Sequence, residues 1–293
     1  MQEGEKGNTY RYEFESWGEF LDYLKQPHKT NSRCSDSHGG SLGAVWSGTK
    51  DFDDALKLAT EGWQEGCDKI KKLTAGFVDK LASLIEVQEP VYDVEGSGFD
   101  VALVLEGVPE HWVRFETDYR EGAGRIVKIR LAASCSGGTD TSVVFARGAV
   151  MAALVELLEL AGHRCEVYVN PVDASSESPR VESSSKLNIS TSVLFKAADQ
   201  PLDMARLAFA YCNGATLRRF GFYLMEIAPP KYAKLADAGY SYAADSPASA
   251  ADADLYLGVA NHWKDTQWAN PETARAWILA RLKELGVALT DED

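Results

Sequence analysis

Residues Arg125–Pro171, RIVKIRLAASCSGGTDTSVVFARGAVMAALVELLELAGHRCEVYVNP, leave little choice of fold. Ile126–Ala132 is a short, largely apolar run of strand-forming residues and reads as a buried strand. A run of small and hydroxyl-bearing residues follows, and then Val143–Leu160, whose Val144, Ala149, Ala152, Ala153, Leu154, Leu157 and Leu160 give a helix one broad apolar face. Gly162 ends that helix, and Arg164–Val169 reads as a second buried strand. A strand, loop, helix and strand of this size make a parallel pair joined by a right-handed crossover. The expected class is therefore α/β, with a central, mostly parallel sheet flanked by helices.

The flanking sequence divides into a mainly helical N-terminal region, 1–98, and an α/β domain, 99–293. In the first, Tyr10–Phe14 alternates as a half-exposed strand does, and Ser16 with Glu19 makes a capping box for a helix over Trp17–Leu24. His28–Gly43 is Ser- and Gly-rich and reads as a loop, and Val45–Thr49 leads to a helix capped by Asp51 and stopped by Gly62. A further helix is expected over Gln64–Ile85, and the boundary falls in Glu86–Gly98. In the second region Asp100–Leu105 fits a short strand or a helical turn, Trp112–Glu116 a strand and Glu121–Gly124 a turn. Val172–Ser185 reads as a solvent loop, Leu187–Lys196 as a strand, and Leu202–Tyr211 and Ala215–Met225 as helices. Lys231–Asp252 is loop-like, Leu255–Val259 is a short strand, and Asn270 with Pro271 opens a last helix to Leu285.

Several function classes are excluded. The longest apolar run, Ala149–Leu160, is broken by Glu156 and Glu159 and falls short of the roughly 20 residues that cross a bilayer. The opening MQEGEKGNTYRYEFE is polar and acidic, so no secretory signal is expected. Five cysteines without a CxxC pair indicate reduced thiols and a cytoplasmic protein, that of the host if phage-encoded. The net charge of −14, with basic residues scattered, opposes binding to a phosphate backbone, so the expected partner is a protein rather than a nucleic acid. The oligomeric state is left open.

The candidate site is the loop that joins the first strand to the helix, AASCSGGTD, because ligands in open α/β sheets lie outside the carboxyl ends of strands. With its flanking elements this loop resembles the metal-adhesion loop of a von Willebrand factor A domain, in which Asp-x-Ser-x-Ser holds a divalent cation through oxygen ligands. The resemblance implies a von Willebrand A-like or Rossmann-like core, and Ser134 and Ser136 match the two serines. Ala132 stands where the aspartate would, so no cofactor is expected. Were a divalent cation held, Ser134, Ser136 and Asp140 would be its ligands, with Asp199 and Asp203 as substitutes from the same rim. The candidate rim is Ser134, Ser136, Thr139, Asp140 and Asp199.

The layout as a whole resembles an uncharacterised protein family of phages and plasmids. The matching stretches are YEFESWGEFLDYL, VWSGTKDFDDALKLATEGW, the central unit, NGATLRRFGF and WANPETARAWILARLKELGV. That resemblance implies a mobile-element origin and carries no activity with it.

Other chemistry is thinly represented. There is no GxSxG elbow and no Walker loop; SCSGGTDTS has the small residues of a phosphate nest without the GK[ST] ending. Cys135 could act as a nucleophile only with His111, His163 or His262, and His163 falls at the far end of the helix. Arg218 and Arg219 form either a solvated face or an acidic or phosphate contact beside the rim. Trp263, Trp268 and Trp277 are core anchors, or a partner surface if exposed. The leading expectation is a non-enzymatic, macromolecule-binding protein that uses the rim. The alternatives are a metal-dependent enzyme or nucleotide-binding factor using Ser134–Asp140, and a virion or assembly component.

Overall fold

The computed structural model describes residues 1–39, 41–85, 90–95, 98–115, 124–178, 180, 184–261, 268, 270–287 and 289. The chain opens with strands β1 (Gln2–Lys6) and β2 (Thr9–Phe14), then helices α1 (Trp17–Lys25), α2 (Ser41–Ser47), α3 (Phe52–Glu61) and α4 (Gln64–Leu84). The capping box forms as its spacing predicts: Ser16 accepts from the Glu19 amide, and Glu19 reaches back to the Glu15 amide. Asp51 caps α3 in the same way. β3 (Pro90–Asp93), β4 (Gly98–Phe99), α5 (Val101–Leu105) and β5 (Trp112–Phe115) follow, and β3, β5 and β4 make a small antiparallel sheet.

The central unit comprises β6 (Ile126–Ala132), α6 (Thr141–Leu160) and β7 (Arg164–Asn170), and β6 and β7 pair in parallel along their whole length. After it come β8 (Asp173–Ser175), β9 (Asn188–Lys196), α7 (Met204–Cys212), a π-helical turn over Thr216–Gly221 and α8 (Phe222–Ile227). The chain closes with α9 (Pro230–Asp237), β10 (Tyr242–Ala243), α10 (Pro247–Ala251), β11 (Leu255–Leu257) and α11 (Pro271–Glu284).

The main sheet has eight strands in the order β1-β2-β9-β7-β6-β11, with β8 on β9 and β10 on β8. It is mixed. β11, β6 and β7 are parallel, as are β2 and β9, whereas β9 runs antiparallel to β7 and β1 to β2. The departure from a mostly parallel sheet begins at β9: among the described residues no helix connects β7 to it, and a parallel return needs a crossover. Residues 1–98 contribute β1 and β2 to this sheet through the β2–β9 pairing.

The sheet faces are unequal. Val127, Ile129, Leu131, Val167, Val169 and Val193 point into a core covered by the long helices. Lys128, Arg130, Glu166, Tyr168, Ser190 and Ser192 alternate with them and line a polar face that α10 and its flanks partly cover, as when Arg130 pairs with Asp252 at 2.5 Å. One cluster of buried side chains extends from Phe20 and Phe52 through Ile129 and Leu154 to Phe220 and Ile278. Within it α6 meets α7 at Gly148, where a Cβ would lie 2.2 Å from the Tyr211 carbonyl oxygen.

Three local readings need correction. Ser41–Ser47 is helical although it begins inside the Gly-rich stretch read as loop. Asp173–Ser175, read within a solvent loop, is a fully buried strand whose backbone is paired on both sides, by β9 and β10. Lys231–Asp252, low in large aliphatics, nonetheless holds most of α9, all of β10 and α10; Tyr232, Ala233, Leu235 and Ala236 of α9 are buried. The expected boundary at Glu86–Gly98 and the turn at Glu121–Gly124 lie partly outside the described residues, as does Glu116 at the end of the strand expected over Trp112–Glu116.

Candidate functional site

β6 is flanked by β7 on one side and β11 on the other, so the loops that leave β6 and β11 stand side by side at a topological switch point. The two chains stay bonded beyond their strands: the Ser136 amide donates to the Ala260 carbonyl at 2.8 Å, and the Ala260 amide to the Ser134 carbonyl at 3.0 Å. Arg147, from the second turn of α6, fills the crevice between them. Its guanidinium donates to the carbonyl oxygens of Ala132 and Leu257, at 2.9 Å each, and to that of Gly258. A ligand at this sheet therefore meets the outer side of the loop.

The structure brings Ser134, Ser136 and Thr139 together, with their hydroxyls engaged. Buried Ser134 accepts the Asp173 amide proton at 2.8 Å. Thr139 donates its hydroxyl to the Ser136 carbonyl at 2.8 Å and lies 3.1 Å from the Ser136 hydroxyl. Asp140 stands at the end of the loop and caps α6, accepting the Ser142 amide at 2.7 Å, and these Ser142 hydrogen bonds hold its carboxyl below the usual range. Asp199 does not belong to this rim. β9 runs antiparallel to β7, its last residue Lys196 lying opposite Val167, so the chain leaves β9 toward the start of β7 and Asp199 stands away from the ends of β6 and β7 that carry the loop. Asp203 caps α7 beyond it.

This oxygen set does not fit a divalent cation. Ala132 is fully buried and supplies no carboxylate, Ser134 already accepts a hydrogen bond, and the Arg147 guanidinium is bonded to the Ala132 carbonyl. Among the described residues no group of three His, Cys, Asp or Glu side chains is placed to hold a metal ion.

Outside the loop lies a cavity of about 170 Å³, lined by Ser134–Thr139, Val172–Ala174, Arg218, Phe222, Tyr240 and Trp46. Sequence reasoning missed Asp173, the carboxylate on its floor. Its oxygens accept from the Thr191 amide (3.1 Å) and the Asn170 amide group (2.8 Å), and burial outweighs these bonds and pushes its pKa up to about 7. The Asp173/Ser175 alternation with Val172 and Ala174 was a strand signal, but too short to set it apart from a Ser-rich loop. The far wall is strained. Gly239, Tyr240 and Ser241 have φ of 71, 62 and 58°, and a non-Gly residue there costs about 1–2 kcal/mol. Tyr240 is held by its hydroxyl bond to Glu226 (2.7 Å) and by stacking on Phe222 at 3.6 Å.

The two adjacent arginines of the π-helical turn meet different surroundings. Arg219 is buried and donates to the Thr49 and Ser37 carbonyls, tying the segments on either side of α2 to the core. Arg218 comes to the cavity mouth between the rings of Trp46 and Phe222. Neither forms a solvated face. Trp46 also donates its indole proton to the Thr139 carbonyl at 3.0 Å and lines a second, more apolar cleft of about 690 Å³ with Val45, Trp63, Leu73, Phe145 and Trp268.

Cys135 is bridged to Ala260 and lines the polar cavity. Burial pushes its thiol up to about 11, against the pull of Arg147 and Arg218. His163 follows the C-terminus of α6, the length of the helix away, about 30 Å at 1.5 Å per residue. His111 bonds the Val108 carbonyl beside the small sheet. His262 and Trp263 lie outside the described residues. Trp268 is buried and packs edge-on against Trp277.

A family model described as "Domain of unknown function (DUF7192)" matches residues 2–288. No curated protein and no solved structure matches the chain.

Proposed function

Starting from the chain's membership of the DUF7192 family, we propose that it is a binding protein of phage or plasmid type, engaging a partner protein at the rim of a degenerate von Willebrand A-like sheet. The observation that carries this is the position of Trp46, whose ring is shared by the polar cavity and the apolar cleft. The polar cavity, at about 170 Å³, is smaller than the roughly 300–1,000 Å³ of pockets that enclose small ligands. It suits one inserted group. The adjoining cleft offers aromatic walls and the exposed Val45, which suit an apolar anchor from the same partner. The loop hydroxyls, spent on internal bonds, favour this reading over a metal- or nucleotide-dependent reaction at Ser134–Asp140.

The test uses the protein, Val45→Glu and Trp46→Ala as baits in a lysate of cells carrying the encoding element. A partner retained by the unaltered chain and lost by both variants, with unfolding midpoints unchanged, is the expected result. Equal retention by all three baits would overturn the proposal, as would nucleotide turnover lost in Ser134→Ala with Ser136→Ala.

A further inference from the structure

The Arg218 guanidinium lies 5.3 Å from the Trp46 ring centroid and 5.1 Å from that of Phe222. Among the described residues it makes no ion pair and no side-chain hydrogen bond. The chain has 44 acidic residues against 30 basic ones, yet among the described residues the contacts of this cation are two aromatic faces. Arg147 and Arg219, close in the fold, differ in donating through their terminal nitrogens to backbone carbonyls. Aromatic faces fix a guanidinium without using its N–H donors, and so leave its fork free for a planar or tetrahedral oxyanion.

On the same cavity the Ser136–Thr139 turn presents two more donors. The amides of Gly137 and Gly138 bond to nothing among the described residues. Both glycines are exposed, a Cβ on Gly137 would meet open space, and Gly138 has φ +83°. The two nearby carboxylates are committed elsewhere: Asp140 to the α6 cap, and Asp173 to Thr191 and Asn170. Since Asp140 already caps α6, the open donors belong to the turn and not to the helix end.

We infer that this cavity is an oxyanion site, in which a single carboxylate or phosphate group is held by the Arg218 guanidinium and the Gly137 and Gly138 amides. The inference rests on the binding reading above for the source of that group: an acidic or phosphorylated side chain of the partner protein. The cavity admits one such group, and the net charge of −14 opposes a polyanion.

The test follows the Gly137 and Gly138 amide resonances of the full chain during titration with inorganic phosphate and with acetate, at constant ionic strength and against chloride. Saturable shifts with either anion are expected, weakened roughly tenfold or more in Arg218→Ala and less in Arg218→Lys, which keeps charge without the fork. Saturation by phosphate with acetate silent assigns a phosphorylated group, and the reverse assigns a carboxylate. Unmoved glycine amides with both anions, or an unchanged titration in a folded Arg218→Ala, would overturn the inference. The two proposals fail separately. A partner lost with Trp46→Ala but kept by Arg218→Ala removes the oxyanion site alone, whereas a saturable site without any captured partner removes the partner reading alone.

Discussion

The Arg147 guanidinium donates to the Ala132 carbonyl oxygen at 2.9 Å, and through its other nitrogen it reaches the end of β11. One side chain of α6 thus ties two parallel strands where they part company. It also places a positive charge beside the residue at which a metal-adhesion loop would carry its aspartate. That charge would repel a divalent cation placed beside Ala132.

Arg147→Met keeps most of the stem but leaves the carbonyls of Ala132, Leu257 and Gly258 without their donor. Hydrogen bonds to charged groups contribute about 1.5–3 kcal/mol each, so a loss of about 3 kcal/mol or more is expected in urea unfolding at pH 7. A loss below about 1 kcal/mol would mean that water replaces the guanidinium freely. Introducing a carboxylate with Ala132→Asp is expected to give no Mg²⁺-dependent rise in Tm.

Gly148→Ala sets two effects of opposite sign against each other. Alanine gains about 1 kcal/mol over glycine inside a helix. Its Cβ, however, would stand 2.2 Å from the Tyr211 carbonyl oxygen, a backbone atom that can move only by separating α6 from α7. Overpacking of that kind costs about 1–3 kcal/mol or more, so net destabilisation is expected. Gly137→Ala, with open space around it, is the control and should leave the unfolding midpoint unchanged.

The helical caps and the β6–α6–β7 unit were legible because each depends on neighbours in sequence: Ser16 on Glu19, Asp51 on Asp54, and the strands on their own apolar runs. The site was legible in part. Ser134, Ser136 and Thr139 share a loop and so stay together, whereas placing Asp199 required the direction of β9, which no local pattern encodes. Asp173 was hidden, and of Arg218 and Arg219 the sequence showed the pair beside the rim but not which of them reaches it. Asp173 is buried by two strands distant in sequence, and Arg219 is drawn inward by the Ser37 and Thr49 carbonyls, which no local pattern places.

Cys135 should resist alkylation although the cavity exposes part of its surface. With its thiol pushed up to about 11 by burial, the thiolate fraction at pH 7.5 is on the order of a hundredfold below that of a free cysteine. Iodoacetamide labelling followed by peptide mass spectrometry is expected to show Cys135 modified on that slower scale. Labelling as fast as a free thiol in water would mean that the bridge to Ala260 opens readily.

Asp173 makes stability depend on pH in the direction opposite to that of a salt-bridged carboxylate. Its pKa is about 7 in the fold, raised chiefly by burial, against 3.8 for the ordinary group. Between these values the folded chain binds the extra proton, so stability contributed by the neutral carboxyl is full below about pH 4 and is lost as pH rises through 7. The difference between the two values corresponds to at most about 4 kcal/mol, with the bonds from Asn170 and Thr191 to the ionised form already counted in it. Asp173→Asn removes the titration. The new amide can also be accommodated, because the Asn170 carbonyl oxygen has no partner among the described residues and can turn to accept from it. The expected result is a free energy of unfolding that declines from pH 5 to 8 in the unaltered chain and is flatter in Asp173→Asn. Equal slopes would show that Asp173 titrates as an ordinary carboxylate, and that water reaches the floor of the rim cavity.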